Sequence, residues 1–498
     1  MRKTNFSILI YRKKDNIIIN VFRREKLRKV YILFSFLFTV SLHSQTKLPS
    51  IFGDNMVLQQ KEKVAIWGKD LPDSKITITT SWGAKANTKA DENGIWKTKI
   101  KTKLASFTPE KITISGSATI SLKNVLIGEV WFCSGQSNMD MPMNGLGKSK
   151  VFNVDEYLKK AKNKNIRLFN NPRSASMNPN FDTGGKWQMS NEVTAKKFSA
   201  IGYIFSLNLY EKLNIPIGII ESSWGGTRIE SWIPKKELSK YKEIKYAKKL
   251  PKDQNKQKRP TLLYNAMIHP FQDFKVKGFL WYQGESNRTK PKPYQNYMKD
   301  LIHSWRSQWK DKNLPFYFVQ IAPFNYVKYK KGKLNYANLI REAQLKSSQE
   351  IKNTGLVVTT DVGDCNDIHP SKKGKVAQRL AKWALAKEYN FKNLKYRSAE
   401  FKSIKVQDNK VKVNFKFYNK DFFITNDPVT GFEIAGKDQV FYPAKVIFHK
   451  NKKSIILKNI KVSKPVAVRY GFSECYENNL RTKSKLPISI FRTDSWKI

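Results

Sequence analysis

The sequence is poor in several chemically informative residues, and each shortage excludes a class of protein. Its three cysteines are too few for a disulfide scaffold, and no two stand at the spacing of a zinc site. A P-loop and a dinucleotide-binding glycine motif are both missing, so no cofactor or metal is expected. Histidine is scarce too, with five in the chain. Because general-base catalysis near neutral pH most often uses histidine, few residues can serve as a base.

Acidic residues are scarce relative to basic ones. The chain has 92 Lys and Arg against 40 Asp and Glu, a formal net charge of +52. Most of this excess is lysine, spread along the whole length in pairs such as Lys159-Lys160 and Lys248-Lys249. Nucleic-acid binders instead cluster arginines or stack aromatic side chains along a basic stripe. The pattern therefore predicts a lysine-rich solvated surface and no nucleic-acid partner.

Only one apolar run could interact with a membrane, and it lies near the N-terminus. Basic residues between Arg23 and Lys29 precede the apolar residues 30–42. This run is too short for a comfortable membrane span and is typical of a signal-peptide core. We expect residues 1–44 to be a signal peptide, with no stable membrane insertion after cleavage. The mature protein would then be secreted or periplasmic.

Hydrophobic periodicity divides the remaining chain into three parts. Residues 45–123 carry short alternating stretches separated by turns, which predicts an N-terminal β module resembling a sandwich. In residues 124–392, continuous apolar runs alternate with helical patterns, as in an α/β domain with a parallel sheet. Residues 393–498 return to β alternation, which predicts a second β-sandwich-like module. The fold class is therefore α/β, flanked by β modules.

The central part contains five strand candidates and two clear helix candidates. The strand candidates are residues 125–133, 215–220, 276–282, 315–321 and 355–360. The helix candidates are residues 293–309 and 371–388, which show apolar stripes at helical spacing.

Polar loops follow four of these strands. They contain Gly135-Gln-Ser-Asn138, residues 221–228, Gln283-Gly-Glu-Ser-Asn287 and residues 361–370. In a parallel sheet the carboxyl ends of the strands lie at one edge, so the four loops should meet there. Ser137 would then stand at that edge as a nucleophile, provided that a base and oxyanion donors are nearby.

His369 is the best candidate for the base. It lies in a loop that also contains Asp361, Asp364 and Asp367, and a carboxylate on one ring nitrogen stabilises the imidazolium formed at the other. His269, which precedes a proline, could line the site or lie in the core. Among the five histidines, His369 alone stands in an acidic loop.

The loops also supply candidate oxyanion donors. The backbone amides of Gly225 or Gly226 can approach a substrate closely because glycine has no Cβ. Asn287 offers a side-chain amide, and the amide of the serine itself is a third donor. Met139 breaks the Gly-x-Ser-x-Gly pattern, which disfavours an α/β-hydrolase. A glycosidase carboxylate pair including Glu285 would leave the serine and histidine without roles.

Four motifs in order resemble the sialate O-acetylesterases of the SGNH hydrolase superfamily. They are Trp-Phe-Cys-Ser-Gly-Gln-Ser-Asn-Met at 131–139, Ser-Ser-Trp-Gly-Gly-Thr at 222–227, Trp-Tyr-Gln-Gly-Glu-Ser-Asn at 281–287 and Asp-Ile-His-Pro at 367–370. The resemblance implies a flavodoxin-like SGNH domain between β modules, and removal of O-acetyl groups from sugars. It assigns Ser137 as nucleophile, His369 as base, and Gly225 and Asn287 as oxyanion donors.

The carboxylate behind the histidine departs from the pattern of the superfamily. The usual aspartate three residues before the histidine is replaced by Asn366, and Asp367 stands two residues before it. We predict Asp367, with Asp364, Asp361 or a Ser-His dyad as alternatives.

Four further residues of these loops are predicted to bind substrate, namely Gln136, Gln283, Glu285 and Arg228. The substrate would be an O-acetylated sialic acid or another O-acetylated glycan, such as acetylated xylan. A glycan-binding protein without catalysis is the alternative from another class.

Overall fold

The computed structural model describes residues 46–329, 336–424, 428–449, 453–476 and 478–498. The predicted signal peptide, residues 1–44, lies outside them. Within the described ranges, none of the helices combines the length and apolar character needed to cross a bilayer.

The N-terminal part is built from seven strands. They are β1 (Val57–Gln59), β2 (Lys63–Lys69), β3 (Lys75–Thr80), β4 (Lys85–Lys89), β5 (Ile95–Lys101), β6 (Ser106–Ser115) and β7 (Thr119–Gly135). Strands β2 and β5 form an antiparallel pair, whereas β3, β4, β6, β1 and β7 belong to one larger sheet. In a strand such as Lys75–Thr80, buried isoleucines alternate with more exposed lysine and threonine residues, because one face meets the core and the other meets solvent.

Strand β7 connects the N-terminal part to the central sheet. Its first half pairs with β6, and its second half, from Glu129 to Gly135, pairs with strands of the α/β part. The predicted boundary between residues 123 and 124 thus falls inside this strand. The N-terminal part is therefore joined to the central sheet by continuous hydrogen bonding.

The central sheet contains β7 and six further strands. These are β8 (Asn163–Asn170), β9 (Lys186–Ser190), β10 (Ile217–Ser223), β11 (Gly278–Tyr282), β12 (Phe316–Val319) and β13 (Thr354–Val357). Their order is β13-β12-β11-β7-β10-β8-β9, and all neighbours are parallel except β8 and β9. The five strands from β13 to β10 follow the strand order of the flavodoxin type. The fold is thus mixed α/β, with a central mixed sheet and additional sheets.

Nine α-helices occur in the described residues. They are α1 (Ser137–Asp140), α2 (Val154–Leu158), α3 (Glu192–Lys197), α4 (Ala200–Leu213), α5 (Lys235–Leu238), α6 (Tyr294–Gln308), α7 (Tyr326–Tyr329), α8 (Ala337–Glu350) and α9 (Lys373–Glu388). Helices α6 and α9 correspond to the two helices predicted from sequence. Short 3-10 segments and one π-helical turn, Tyr264–Ile268, complete the connections.

Helix α6 shows how a predicted apolar stripe positions the sheet. Trp305 is fully buried, and its ring packs edge-on against Phe132 of β7 and Phe279 of β11, with centroids 6.1 and 5.2 Å apart. Burying a large apolar side chain contributes roughly 1.5–3 kcal/mol. The packing fixes side by side the two strands whose ends carry the Ser137 loop and the Glu285 loop.

Ten strands occur in the described residues of the C-terminal part. They are β14 (Glu400–Gln407), β15 (Lys410–Lys416), β16 (Phe423–Ile424), β17 (Phe432–Ala435), β18 (Phe441–Pro443), β19 (Lys445–Phe448), β20 (Ser454–Lys458), β21 (Ala467–Tyr470), β22 (Arg481–Thr482) and β23 (Phe491–Arg492). Two four-stranded antiparallel sheets, β14-β15-β20-β19 and β18-β17-β21-β23, contribute buried side chains to one apolar core.

A disulfide links this C-terminal part to the central one. Cys365, in the loop that carries His369, is bonded to Cys475, 110 residues further along the chain. Cys133 is a free thiol and is fully buried in β7. The disulfide therefore anchors the histidine loop to the C-terminal β part.

Candidate active site

Ser137 stands at the end of β7, where the chain turns from strand to helix. Gly135 adopts φ +148°, and a Cβ there would lie 2.1 Å from the carbonyl oxygen of Tyr282. Only glycine fits this close approach to the neighbouring strand. The turn places Ser137 as the first residue of α1, where backbone N–H groups have no partner within the helix. Its side chain is half-buried at the carboxyl edge of the sheet.

His369 meets Ser137 from the loop that follows β13. Its Nε2 lies 2.9 Å from the Ser137 Oγ, although the residues are 232 positions apart in sequence. Burial, followed by the nearby charge of Lys373, lowers the pKa of His369, and Asp367 opposes this shift. A lowered pKa keeps the imidazole neutral near pH 7. His369 is therefore in the protonation state that can accept the serine proton.

The three aspartates of the histidine loop have different surroundings. Asp367 Oδ1 lies 4.0 Å from His369 Nδ1, and it accepts hydrogen bonds from the His369 N–H at 2.8 Å and the Ser149 hydroxyl at 2.9 Å. Asp364 is exposed, and its carboxylate caps the nearby Asn366 N–H. Asp367 is thus the aspartate of this loop that faces the ring.

Asp361, the third aspartate of this loop, is bonded to two arginines. Its two carboxylate oxygens accept hydrogen bonds from Arg379 at 2.6 and 2.7 Å, and Arg481 adds a third at 3.2 Å. These guanidinium groups hold the pKa of Asp361 below its ordinary value despite burial, which acts in the opposite direction. Asp361 therefore ties α9 to the C-terminal part.

The predicted oxyanion donor Gly225 lies against the serine. A Cβ on Gly225 would be 3.4 Å from the Ser137 Cβ. In this structure its N–H donates to Asp140 Oδ2 at 3.0 Å, and Arg173 donates to the same oxygen at 2.8 Å. The amide is therefore beside Ser137, but its hydrogen is already bonded to the Asp140 carboxylate.

The side-chain amide of Asn287 also has hydrogen-bond partners within the protein. Its Nδ2 donates to Glu230 Oε2 at 2.8 Å, and its Oδ1 accepts from the Ile229 N–H at 3.0 Å and from Gln283 Nε2 at 2.8 Å. An amide nitrogen carries two hydrogens, so the bond to Glu230 leaves one for another acceptor. These bonds fix the orientation of the amide.

Three of the four predicted substrate-binding side chains lie beneath the edge of the sheet. Gln136, Gln283 and Glu285 are between 0 and 3% exposed. Gln136 accepts from the backbone N–H of Gly284 at 3.3 Å, and Gln283 donates to the carbonyl of Thr227 at 3.0 Å. They connect the loops that carry the site.

Arg228, the fourth of these side chains, is half-buried. Unlike the other three, it makes no side-chain hydrogen bond or ion pair with any residue in the described part of the chain. Its guanidinium is thus the predicted substrate-binding group that remains available.

His269 lies apart from this arrangement. Its Nδ1 is 3.1 Å from the carbonyl oxygen of Asn180, and its ring packs edge-on against Tyr264. The hydrogen bond and the ring contact give His269 a structural role on the loop between β10 and β11.

Sequence reasoning missed two buried clusters on either side of Ser137. On one side Asn138, Glu285 and Lys373 form a hydrogen-bonded group, and each is 1–2% exposed. On the other side Asp140 and Glu221 lie at a polar cavity of about 300 Å³. The position of Asn138 beside the serine was the available signal, whereas nothing local in the sequence pairs Asp140 with Glu221.

Comparisons with known proteins agree on one family. A family model described as "carbohydrate esterase, sialic acid-specific acetylesterase" matches residues 127–386. The chain is 27% identical over 485 residues to the sialate O-acetylesterase of Mus musculus, covering 84% of this chain and 88% of that protein. It is 29% identical over 415 residues to the sialate O-acetylesterase of Homo sapiens, covering 75% and 77%.

A solved structure is similar over nearly the whole chain. It is a carbohydrate acetylesterase from Xanthomonas citri, with a TM-score of 0.82 and 35% sequence identity. The match covers 91% of this chain and all of that one. The similarity thus extends through the central sheet into the flanking β parts.

Proposed function

This chain belongs to the carbohydrate esterase family of sialic acid-specific acetylesterases, and we propose that Ser137 and His369 carry its hydrolysis of O-acetyl esters. The observation that supports this most directly is the 2.9 Å contact between the Ser137 Oγ and the His369 Nε2. A serine hydroxyl becomes nucleophilic when a neutral imidazole accepts its proton. The reaction class is carboxylic ester hydrolysis.

The proposed reaction has two halves. His369 Nε2 takes the proton as the Ser137 Oγ attacks the acetyl carbonyl, and the imidazolium then protonates the departing sugar oxygen as the ester bond breaks. The acetyl group is left on the serine. Water, deprotonated by the same imidazole, attacks this acetyl-serine, and the serine recovers its proton as acetate leaves. Each half passes through an oxyanion that needs hydrogen-bond donors.

The donors proposed for that oxyanion are the backbone N–H groups of Ser137 and Gly225 and the side-chain amide of Asn287. Gly225 N–H is bonded to Asp140 in this structure, so the carboxylate has to yield to the ester oxygen when substrate binds. Burial raises the pKa of Asp140 and Arg173 opposes the shift. A carboxyl group that is more easily protonated gives up a hydrogen bond more readily than an ordinary carboxylate.

Asp367 remains our proposal for the carboxylate that supports His369. Its oxygen is 4.0 Å from Nδ1, beyond direct hydrogen-bond distance, so it acts through charge on the imidazolium. The hydroxyl of Ser149 and the His369 N–H hold it in place. Replacement by asparagine should therefore reduce kcat by a smaller factor than the roughly 10⁴-fold loss seen where a directly bonded aspartate is replaced.

We propose an O-acetylated sialic acid as the substrate. Arg228, half-buried and without a side-chain partner in the described part of the chain, offers a guanidinium for the sialate carboxylate. A panel of O-acetylated sialic acid and acetylated xylan tests this. Sialate activity that falls in Arg228→Ala while xylan activity persists supports the assignment, and an equal fall on both substrates contradicts it.

The disulfide and the sequence pattern support a secreted or periplasmic location. The bond between Cys365 and Cys475 favours an oxidising compartment. The signal peptide at residues 1–44, outside the described ranges, remains a prediction. We also propose that both flanking parts act as β-sandwich-like supports of the central sheet.

The decisive experiment is acetate release by wild type and Ser137→Ala. The variant should lose at least about 10³-fold in kcat on an aryl acetate and on O-acetylated sialic acid alike. Ser286→Ala, on the neighbouring Glu285 loop, is a matched control that removes a hydroxyl of the same type. Turnover by Ser137→Ala close to wild type would refute the proposed nucleophile.

A further inference from the structure

Asn138, the residue after the proposed nucleophile, has a buried side chain that joins three loops of the site. Its Nδ2 donates to Glu285 Oε1 at 2.6 Å and to the carbonyl oxygen of Ile368 at 3.0 Å. Its Oδ1 accepts a hydrogen bond from Lys373 Nζ. We call Asn138, Glu285 and Lys373 the clamp.

The bond to Ile368 matters because of where that carbonyl lies. Ile368 immediately precedes His369, and Asn138 immediately follows Ser137. The side-chain amide of Asn138 therefore links the segment that carries Ser137 to the peptide bond between Ile368 and His369. Such a bond restricts how far the Ser137 Oγ and the His369 Nε2 can separate.

The rest of the clamp fixes the orientation of the amide. In only one of the two flip orientations of the Asn138 amide do its N–H groups donate to the carbonyl and carboxylate oxygens while its oxygen accepts from the ammonium group. Glu285 and Lys373 come from different elements, the loop after β11 and the start of α9, and both are at most 2% exposed. A flipped amide would turn its oxygen towards two acceptors in a site that water cannot reach.

We propose that Asn138 is a positioning residue that sets the Ser137–His369 geometry, and that the clamp holds it in that role. The inference rests on the proposed function of the two catalytic residues. Asn138 is 1% exposed and does not reach the surface where substrate binds. Its loss should therefore lower kcat and leave KM nearly constant.

Asn138→Ala is the first test. A misplacement of the reacting groups by about 1 Å can reduce turnover about 100-fold, so we expect a fall of that order in kcat on an aryl acetate. The KM should stay within about threefold of wild type, since binding and chemistry are affected separately.

The matched control is Asn265→Ala. Asn265 is another buried asparagine, 5% exposed, whose Nδ2 donates to two backbone carbonyls, those of Ser176 and Met177 at 3.1 and 2.8 Å. Both variants should lower the melting temperature to a similar extent. Only Asn138→Ala should lower kcat, which separates positioning from stability.

The isosteric Asn138→Asp provides a second variant. It keeps an acceptor for Lys373 but, as a carboxylate, cannot donate to the carbonyl of Ile368, so kcat should fall as in the alanine variant. Wild-type kcat in a folded Asn138→Ala or Asn138→Asp would overturn the proposal. Failure of both to fold while Asn265→Ala folds would assign Asn138 a structural role and overturn it equally.

Ser137→Ala, assayed in parallel, keeps the two hypotheses apart. If Ser137→Ala is active, the proposed function fails. If Ser137→Ala is inactive and Asn138→Ala turns over like wild type, only the positioning role fails.

Discussion

The two clusters that flank Ser137 differ in the charges of their side chains. The clamp contains an ammonium group and a carboxylate with an amide between them, and both of its hydrogen bonds are made by the Asn138 amide. On the other flank, Asp140 and Glu221 are two carboxyl groups, and burial, followed by the charge of Asp140, raises the pKa of Glu221. We call these two the acid pair. A nearby opposite charge favours the ionised form of a group, whereas a like charge disfavours it.

The two clusters also differ in how far they are shielded from solvent. The side chains of the clamp are each 1–2% exposed, and the histidine loop they contact is also held by the disulfide at Cys365. The acid pair borders a cavity of about 300 Å³, and its cation, Arg173, has a side chain that is 52% exposed. Ser137 thus has a solvent-excluded cluster on one side, and the proposed oxyanion donor Gly225 lies on the side that borders the cavity.

Breaking the disulfide is the change with the largest expected effect, because it tests whether the clamp alone holds the histidine loop. Cys365→Ala with Cys475→Ala removes a cross-link over 110 residues and should lower the free energy of unfolding by about 3 kcal/mol. In the folded state kcat should remain within about threefold, because the Asn138 bond to Ile368 persists. Urea unfolding and aryl acetate kinetics measure the two effects.

Cys133→Ala is the control for that experiment. It changes a buried thiol in β7 without touching the cross-link. A tenfold or larger loss of kcat in the folded double variant, absent from this control, would show that the disulfide rather than the clamp positions His369.

Lys373→Met is expected to have an intermediate effect, and it tests the charge of the clamp. Burial lowers the pKa of Lys373 to about 7, so the side chain is charged on the acidic side of neutrality. That charge helps to lower the pKa of His369. Without it the histidine pKa rises, the imidazole is protonated over a wider range, and the acid limb of kcat/KM moves to higher pH. We expect a loss of about tenfold at pH 6 and a smaller one at pH 8.

Lys375→Met serves as the matched variant for this shift. Lys375 lies one half-turn away on α9, but its side chain is 50% exposed and faces Asp361. Its removal should leave the acid limb in place. Equal losses at pH 6 and pH 8 in Lys373→Met would mean that packing, and not charge, explains the effect.

Most of the central sheet could be predicted from the sequence. The five apolar runs of the central sheet were found because strands buried on both faces are continuous in apolar residues. Strand β8 was missed because Asn163–Asn170 begins with polar residues, and its neighbour β9 alternates weakly. Helix α4 was missed because it is buried almost all round and so has no apolar stripe.

Residues of the candidate site could be predicted only where residue type and position within a short motif were informative. Ser137 and His369 stand in short polar loops after strands, so their types and positions were informative. Glu285 has the same local appearance, yet it lies beneath the edge of the sheet as a partner of Asn138. Whether a loop side chain faces solvent or a neighbouring loop depends on contacts between distant segments, as does the pairing of Cys365 with Cys475.

Glu221→Gln is expected to have the smallest effect, and it tests the acid pair. Burial, followed by the charge of Asp140, raises the pKa of Glu221 well above its ordinary value, and its Oε1 has no hydrogen-bond partner in the described structure. Below about pH 4 this carboxyl group is protonated in folded and unfolded chains alike, so the two states do not differ. As the pH rises, the unfolded chain ionises and the folded one does not, so stability is lost until the folded pKa is passed.

A glutamine at 221 cannot ionise and removes that loss, so the variant should be more stable at pH 7 by on the order of 1 kcal/mol and unchanged at pH 4. Glu129 is the matched control, since it is 2% exposed on the adjacent strand but accepts hydrogen bonds from Gln60 at 2.6 Å and Tyr389 at 2.8 Å. Glu129→Gln places an NH₂ group opposite a donor and should destabilise the fold. Urea unfolding at the two pH values distinguishes these signs, and a Glu221→Gln variant less stable than wild type at pH 7 would show that the acid pair holds a required charge.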